Sequence, residues 1–224
     1  KPSFLDANEP VNVANAVKSL NLRYVVVTSV TRDDLDDGGA SIFAQTVSEI
    51  RKAAPNCSVE LLIPDFKIRT CGILRQGELN TEALKTVADS KPDVLAHNIE
   101  AVRRVFQRVR PGGNYDVSLE LLREIKKIAP EMPTKSSIMA GFDENIEELR
   151  QTMKDLRECN VDFLTLGQYL QPSAIHARIE KYYTPEEFVE LKKIAQDMGF
   201  RHVEAGPLVR SSYRADKLNA VIQR

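Results

Sequence analysis

The stretch RYVVVTSVTRDDLDDGGASIFAQTVSEI, residues 23–50, sets the terms for the whole chain. Its first part, Tyr24–Ser29, is a short, nearly continuous apolar run rich in β-branched residues, the pattern of a strand buried on both faces of a parallel sheet. Its last part, Ser41–Ala53, repeats apolar residues at Ile42, Phe43, Val47 and Ile50, the stripe of a helix. Between them lies a polar loop. Strand, polar loop, helix is one βα unit.

The same unit recurs. Strands are expected at Val59–Ile63, Val94–Asn98, Thr134–Met139, Phe163–Gly167 and His202–Ala205. Helices are expected at Val11–Leu20, Ser118–Ala129, Asn145–Cys159 and Pro185–Met198. The last has a strong start: Thr184 caps, Pro185 suits the first helical position, and Glu187 sits three residues after the cap. Gly199 is a plausible stop. Pro64–Asn80 reads as the longest irregular stretch. Alternation of this kind predicts a parallel sheet with right-handed crossovers. The expected fold class is α/β, a barrel or partial barrel, with a doubly wound open sheet as the alternative.

Composition bounds the function. The chain has 224 residues, 42% hydrophobic and 28% charged, with a net charge of -1. That is an ordinary globular composition, long enough for a sizeable core. No long basic run argues for nucleic acid. No apolar run of about 18 residues predicts a membrane span. Cys57, Cys71 and Cys159 lie far apart without metal-type spacing and read as free thiols.

In parallel α/β folds, sites form at the carboxyl ends of strands, so the residues there are the candidates. Ser29–Ala40 carries Asp33, Asp34, Asp36 and Asp37 before Gly38-Gly39, either a charged loop or a site for a cationic or hydroxyl-rich ligand. Asn98 and Glu100 flank Ile99 on an extended chain, so they can point the same way. An amide beside a carboxylate suits a ribose or an ammonium. His97 reads better as a core histidine. Arg110 precedes a Pro-Gly turn and can fork onto a carboxylate or form a plain ion pair. Lys135, inside an apolar strand, can anchor a carboxylate or form a Schiff base. Gln168 and Tyr169 follow the fifth strand. Arg210, Ser211, Ser212 and Tyr213 offer donors and hydroxyls with no base nearby.

Taken together, DANEP (Asp6–Pro10), RYVVVTSVTRDDLDDGGA (Arg23–Ala40), IPDF (Ile63–Phe66) and HNIE (His97–Glu100) resemble lipoyl synthase. So do VRPG (Val109–Gly112), PTKSS (Pro133–Ser137), LTLGQYLQPS (Leu164–Ser173) and GPLVRSSYRA (Gly206–Ala215), and all eight stand in family order. The resemblance implies a partial (β/α)6 TIM-type barrel of the radical S-adenosylmethionine type, missing its first strand. It implies one barrel domain over 1–224, with 201–224 a C-terminal extension carrying RSSY. The implied reaction inserts two sulfur atoms at C6 and C8 of an octanoyl chain on a carrier-protein lysine, using S-adenosylmethionine and two [4Fe–4S] clusters. One cluster cleaves S-adenosylmethionine and the other is the sulfur source.

Carried onto this sequence, Ser29, Arg32, Asp33, Asn98, Glu100, Arg110 and Lys135 hold S-adenosylmethionine, with Gln168 and Tyr169 beside it. Arg210, Ser211 and Ser212 belong to the catalytic segment, and Ser212, or alternatively Ser211, ligates the auxiliary cluster. Implied partners are an octanoylated glycine cleavage H protein or E2 lipoyl domain, and a ferredoxin or flavodoxin as electron donor. No nucleic acid or membrane partner is expected, and the compartment is cytoplasmic if bacterial, or else mitochondrial or plastid.

The sequence departs from the family in three ways. The family's two cysteine triplets lie upstream of DANEP, and neither occurs here, so this chain alone is expected to be inactive. The loop Lys67–Leu79, which contains Cys71, is longer than usual. Asp143 in AGFDEN stands where the family has glycine. The alternatives are a Schiff-base barrel lyase using Lys135 and a catalytically dead paralogue that binds carrier protein.

Overall fold

A computed structural model describes residues 4–70 and 73–218. The chain divides into two compact units, one built from the residues up to 96 with 124–132 and 215–218, the other from 97–123 and 133–214.

The first unit contains α1 (Glu9–Ser19), β1 (Tyr24–Thr28), α2 (Ala40–Ala53), β2 (Ser58–Leu62), a hairpin of β3 (Lys67–Thr70) and β4 (Ile73–Leu79), α3 (Thr81–Asp89) and β5 (Val94–Ala96). Strands β1, β2 and β5 lie side by side and parallel, with Val26 opposite Glu60 and Glu60 opposite Val94. Val47, Ile50, Val59, Leu61 and Leu84 are essentially inaccessible and form the apolar layer between strands and helices. Glu60 is fully buried on β2 and accepts a hydrogen bond from the Tyr24 hydroxyl at 2.7 Å. A buried carboxylate must be hydrogen-bonded to be tolerated, and this one is. Asp93 ties the strand starts together, accepting from Val59 N and Arg51 Nη2, both at 2.7 Å.

The second unit contains α4 (Arg103–Val109), the start of α5 (Tyr115–Ile128), β6 (Thr134–Ala140), α6 (Ile146–Glu158), β7 (Phe163–Gln168), α7 (Pro185–Asp197) and β8 (His202–Gly206). Its strands run parallel in the order β6-β7-β8, with Ser137, Thr165 and Glu204 in register. Parallel neighbours cannot be joined by a tight turn, so a helix closes each crossover. Both crossover helices start with complete capping boxes, Asn145 with Glu148 and Thr184 with Glu187. Each satisfies two otherwise orphaned backbone donors.

All six expected strands are present, within two residues of their expected ends. The α/β class with parallel β/α alternation is therefore observed. Two features differ from expectation. The stretch 64–80 is not irregular: an antiparallel hairpin occupies it, with a break in register between Lys67 and Ile68. Cys71 lies outside the described residues. Helices α3 and α4 were also unexpected. Helix α3 had a readable signal: Asn80 caps it by accepting from Ala83 N, and Ala83, Leu84, Val87 and Ala88 form its buried face. Helix α4 has seven residues and two buried ones, Val105 and Phe106, too few for a period to show. No helix among the described residues is long and apolar enough to cross a membrane.

The departure at Asp143 has a structural counterpart, because its φ is 77°, in the left-handed region that favours glycine. The neighbouring turn is held by Glu144, whose carboxylate accepts from Gly141 N and Phe142 N, both at 2.7 Å. Replacing Asp143 with glycine removes the left-handed penalty but adds backbone entropy to the unfolded chain. The net expectation is a gain of about 0.5–1 kcal/mol in urea denaturation. A loss of stability would show that the exposed Asp143–Arg104 pair, at 3.7 Å, outweighs the backbone.

Candidate functional site

Beyond β5 the chain stays extended and is stitched to β6. His97 N donates to Lys135 O at 3.0 Å, Ile99 N to Ser136 Oγ at 3.1 Å, Glu100 N to Ser137 O at 3.0 Å, and Met139 N to Glu100 O at 2.8 Å. Extended geometry alternates the side chains. His97 and Ile99 are buried, at 1% and 0% exposure, while Asn98 and Glu100 share the other face, half-buried. There Asn98 donates to the Glu100 carboxylate. The Asn98 Oδ1 oxygen is buried and has no hydrogen-bond partner among the described residues. A buried acceptor without a donor is costly unless a ligand supplies one.

Glu100 is strained and desolvated. Its φ is 68°, outside the usual range for a residue with a side chain. Desolvation raises its pKa above the ordinary carboxyl value, against the opposing pull of the Asn98 hydrogen bond and the Arg110 charge. Arg110 follows α4, its N–H bonded to Phe106 O at 2.7 Å and its carbonyl accepting from Gly113 N at 2.9 Å. Its guanidinium reaches Ser118 Oγ at 3.4 Å. Gly113 lies close beneath it: a Cβ there would stand 3.0 Å from Arg110 Cδ, so the arginine side chain would have to shift by a few tenths of an ångström. Lys135 is buried on β6 at 2% exposure, one residue from the serine that holds Ile99. The second unit thus carries Asn98, Glu100 and Lys135 on paired backbone, with the Arg110 charge acting on Glu100.

Gln168 and Tyr169 have structural engagements of their own. The Gln168 amide accepts from Tyr183 N at 2.9 Å and donates to Lys181 O at 3.0 Å and Tyr169 O at 3.1 Å. The Tyr169 hydroxyl donates to Ala177 O at 2.9 Å, and its ring lies on Phe142 with centroids 4.1 Å apart. Their polar atoms organise the loop between β7 and α7. Arg210, Ser211 and Ser212 lie just after β8, in a turn closed by Tyr213 N donating to Arg210 O at 2.9 Å. Ser211 is half-buried and Ser212 exposed.

In the first unit, the acidic loop sorts into separate jobs. Asp37 accepts from Gly39 N at 2.9 Å and Ser41 N at 2.8 Å, so it caps the start of α2. Arg32 forks onto Asp34, with both bonds at 2.8 Å. Asp33 lies 3.6 Å from Lys67. A cavity of about 670 Å³ opens here, lined by Asp6, Glu9, Ser29, Arg32, Val27 and Phe43 among others.

The two cysteines among the described residues do not fit an iron–sulfur cluster. Cys57 and Cys159 are buried free thiols. Burial pushes both up, Cys159 to about 11, so they stay protonated at neutral pH, whereas cluster ligation needs thiolates. Among the described residues no group of three His, Cys, Asp or Glu is placed to hold a metal ion.

The model of the Radical SAM superfamily matches residues 1–156, a span that includes Asn98, Glu100, Arg110 and Lys135. Lipoyl synthase from Oceanobacillus iheyensis is 52% identical over 225 residues, covering 100% of this chain and 68% of that protein. Lipoyl synthase from Staphylococcus haemolyticus is 51% identical over 216 residues, covering 96% of this chain and 67% of that protein. The chain belongs to the lipoyl synthase family. It is a radical S-adenosylmethionine sulfurtransferase of lipoate biosynthesis, and the family implies S-adenosylmethionine and [4Fe–4S] chemistry. The chain spans about two thirds of these relatives.

Solved structures agree on the fold alone. Methylornithine synthase (PylB) superposes with a TM-score of 0.65 at 10% identity, over 99% of this chain and 72% of that one. The FeFe-hydrogenase maturase HydG from Carboxydothermus hydrogenoformans gives 0.62 at 12% identity, over 100% of this chain and 59% of that one. The partial barrel expected from sequence is consistent with both.

Glu100 yields a pH prediction. Its folded-state pKa is raised, so the native state binds the proton more tightly than the unfolded chain does. Its contribution to stability is fully present below the ordinary carboxyl pKa and is lost as pH rises through the higher folded value. Glu100→Gln removes that loss. It should stabilise the fold in urea at pH 7.5 and bring little or no gain at pH 4. Equal effects at the two pH values would show that the carboxyl is not desolvated.

Proposed function

We propose that the second unit carries the S-adenosylmethionine site and the serine-bearing segment of an enzyme that inserts sulfur at C6 and C8 of a carrier-bound octanoyl group. The observation that carries this reading is the buried, partnerless Asn98 Oδ1 next to a desolvated Glu100. An acceptor and a carboxylate on one face suit the hydroxyls of a ribose or the ammonium of an amino acid. S-adenosylmethionine has both. Arg110 and Lys135 are the cations for its carboxylate. Ser29, Arg32 and Asp33 belong to the first unit, where Arg32 already has Asp34 as partner.

Bound S-adenosylmethionine supplies the radical chemistry. This chain's residues bind it, orient it and keep water away. Tyr169, Gln168 and Tyr183 are at most 7% exposed, so the two ends of the loop they organise are anchored in the unit's interior. The described residues lack a thiolate set, so no step is assigned to a cluster here. Two clusters, a ferredoxin or flavodoxin donor, and an H protein or E2 lipoyl domain as carrier complete the proposed reaction. Ser212 is the proposed oxygen ligand of the auxiliary cluster, an unusual choice where cysteine is the rule. We attribute to it a more labile iron, suited to a cluster that gives up its sulfur.

Calorimetric titration of the chain with S-adenosylmethionine tests the site. Asn98→Ala is expected to weaken binding about tenfold, the effect of one buried hydrogen bond. Unchanged affinity, or no binding by the parent chain, would remove the site from this unit. For Ser212, cysteine substitution in a full-length lipoyl synthase carrying both cysteine triplets should preserve the auxiliary cluster's optical absorption and abolish sulfur insertion. Full activity would sink that role.

A further inference from the structure

The end of β7 carries two residues whose contacts reach in opposite directions. Gly167 is not a left-handed glycine, unlike Gly141 at φ 125° or Gly199 at φ 88°. Its reason to be glycine is proximity. A Cβ there would fall on the Val209 carbonyl oxygen, far inside van der Waals contact, and 3.4 Å from Arg210 Nη1. The obstacle is backbone, which cannot rotate away as a side-chain tip can. Arg210 closes the same contact from above: its Nη1 donates to Val209 O at 2.7 Å and to Gln168 O at 3.3 Å. Two successive turns follow, with Val209 N donating to Gly206 O at 3.1 Å and Tyr213 N to Arg210 O at 2.9 Å. Ser211 and Ser212 sit within the second. On the other side, the Gln168 amide holds Lys181 and Tyr183. Gly141 leaves room for it: a Cβ at 141 would strike Gln168 Nε2 and come within 2.9 Å of Lys181 O.

We propose that Gly167 and Arg210 are positioning residues: together they seat the Gly206–Tyr213 segment on the end of β7 and so set where the serine pair stands. Its importance to sulfur transfer rests on the reading of Ser212 as a ligand; the seat itself does not. A side chain at 167, or loss of the guanidinium at 210, releases the serine turn while leaving the sheet intact.

Amide hydrogen exchange on the chain itself tests this. Gly167→Ala should accelerate exchange across 207–214 about tenfold, with the β6–β7 and β7–β8 ladder amides within about twofold of the parent. Gly206→Ala is the control, because its Cβ would meet only Val209 Cγ2, at an ordinary 3.4 Å. It should leave 207–214 protected. Arg210→Ala adds no volume and should also accelerate 207–214 selectively, which keeps the test open if Gly167→Ala does not fold. Parent-like protection of 207–214 in Arg210→Ala overturns the proposal. So does acceleration spread evenly over the ladders in Gly167→Ala, because that marks general destabilisation. Neither result touches the Ser212 assignment, which stands or falls on the cysteine variant.

Discussion

The Asn98–Glu100 edge of the second unit depends on the pairing of His97–Glu100 with β6. Four hydrogen bonds link this tetrapeptide to residues 135–139, one from His97, one from Ile99 and two at Glu100. That pairing decides which side chains are buried and which face the site. It also over-determines Glu100. A glutamate at φ 68° is unfavourable by itself, on the order of 1–3 kcal/mol, and a desolvated carboxyl adds to that. Such a residue persists when both its N–H and its C=O are locked into the neighbouring strand, as here. A fold selected only for stability has no use for it. A site that must offer a carboxylate to a cationic or hydroxyl-rich ligand does.

Around that face the neighbouring segments are held by their own contacts. Arg110 is set by a helix end and a glycine turn, Lys135 by its place inside β6, and the long loop after β7 by one amide side chain. Gln168 is a polar residue with structural partners that its type does not announce. An amide near a strand end suggests a ligand, yet its oxygen and nitrogen are occupied by Tyr183, Lys181 and Tyr169. The four aspartates of the first unit teach the same lesson. Asp37 caps a helix, Asp34 receives Arg32 and Asp33 lies near Lys67, so a dense acidic run is largely used up by its own neighbours.

Much of the fold was legible in the sequence because local patterns carried it. The six apolar runs became six parallel strands, and Thr184 with Glu187 formed the capping box that their spacing predicts. The alternation of Asn98 and Glu100 about Ile99 was also local, and it holds. Helix α4 was too short to show a period. The hairpin at 67–79 lay in what read as an irregular insertion. The seat at Gly167 was out of reach for another reason: its partner, Val209, is far along the chain, and nothing in the strand's own pattern says which backbone will lie against it. The roles assigned to Arg210 and Ser212 came from family resemblance, not from spacing.

Asn98 and Glu100 are the proposed adenosylmethionine-facing edge of the second unit. The most direct test is a crystal structure of this chain grown with S-adenosylmethionine. A ribose hydroxyl or the ligand's ammonium is expected within hydrogen-bonding distance of Asn98 Oδ1, with the ligand carboxylate turned toward Arg110 or Lys135. A ligand bound elsewhere, with Asn98 Oδ1 still unpartnered, would contradict it.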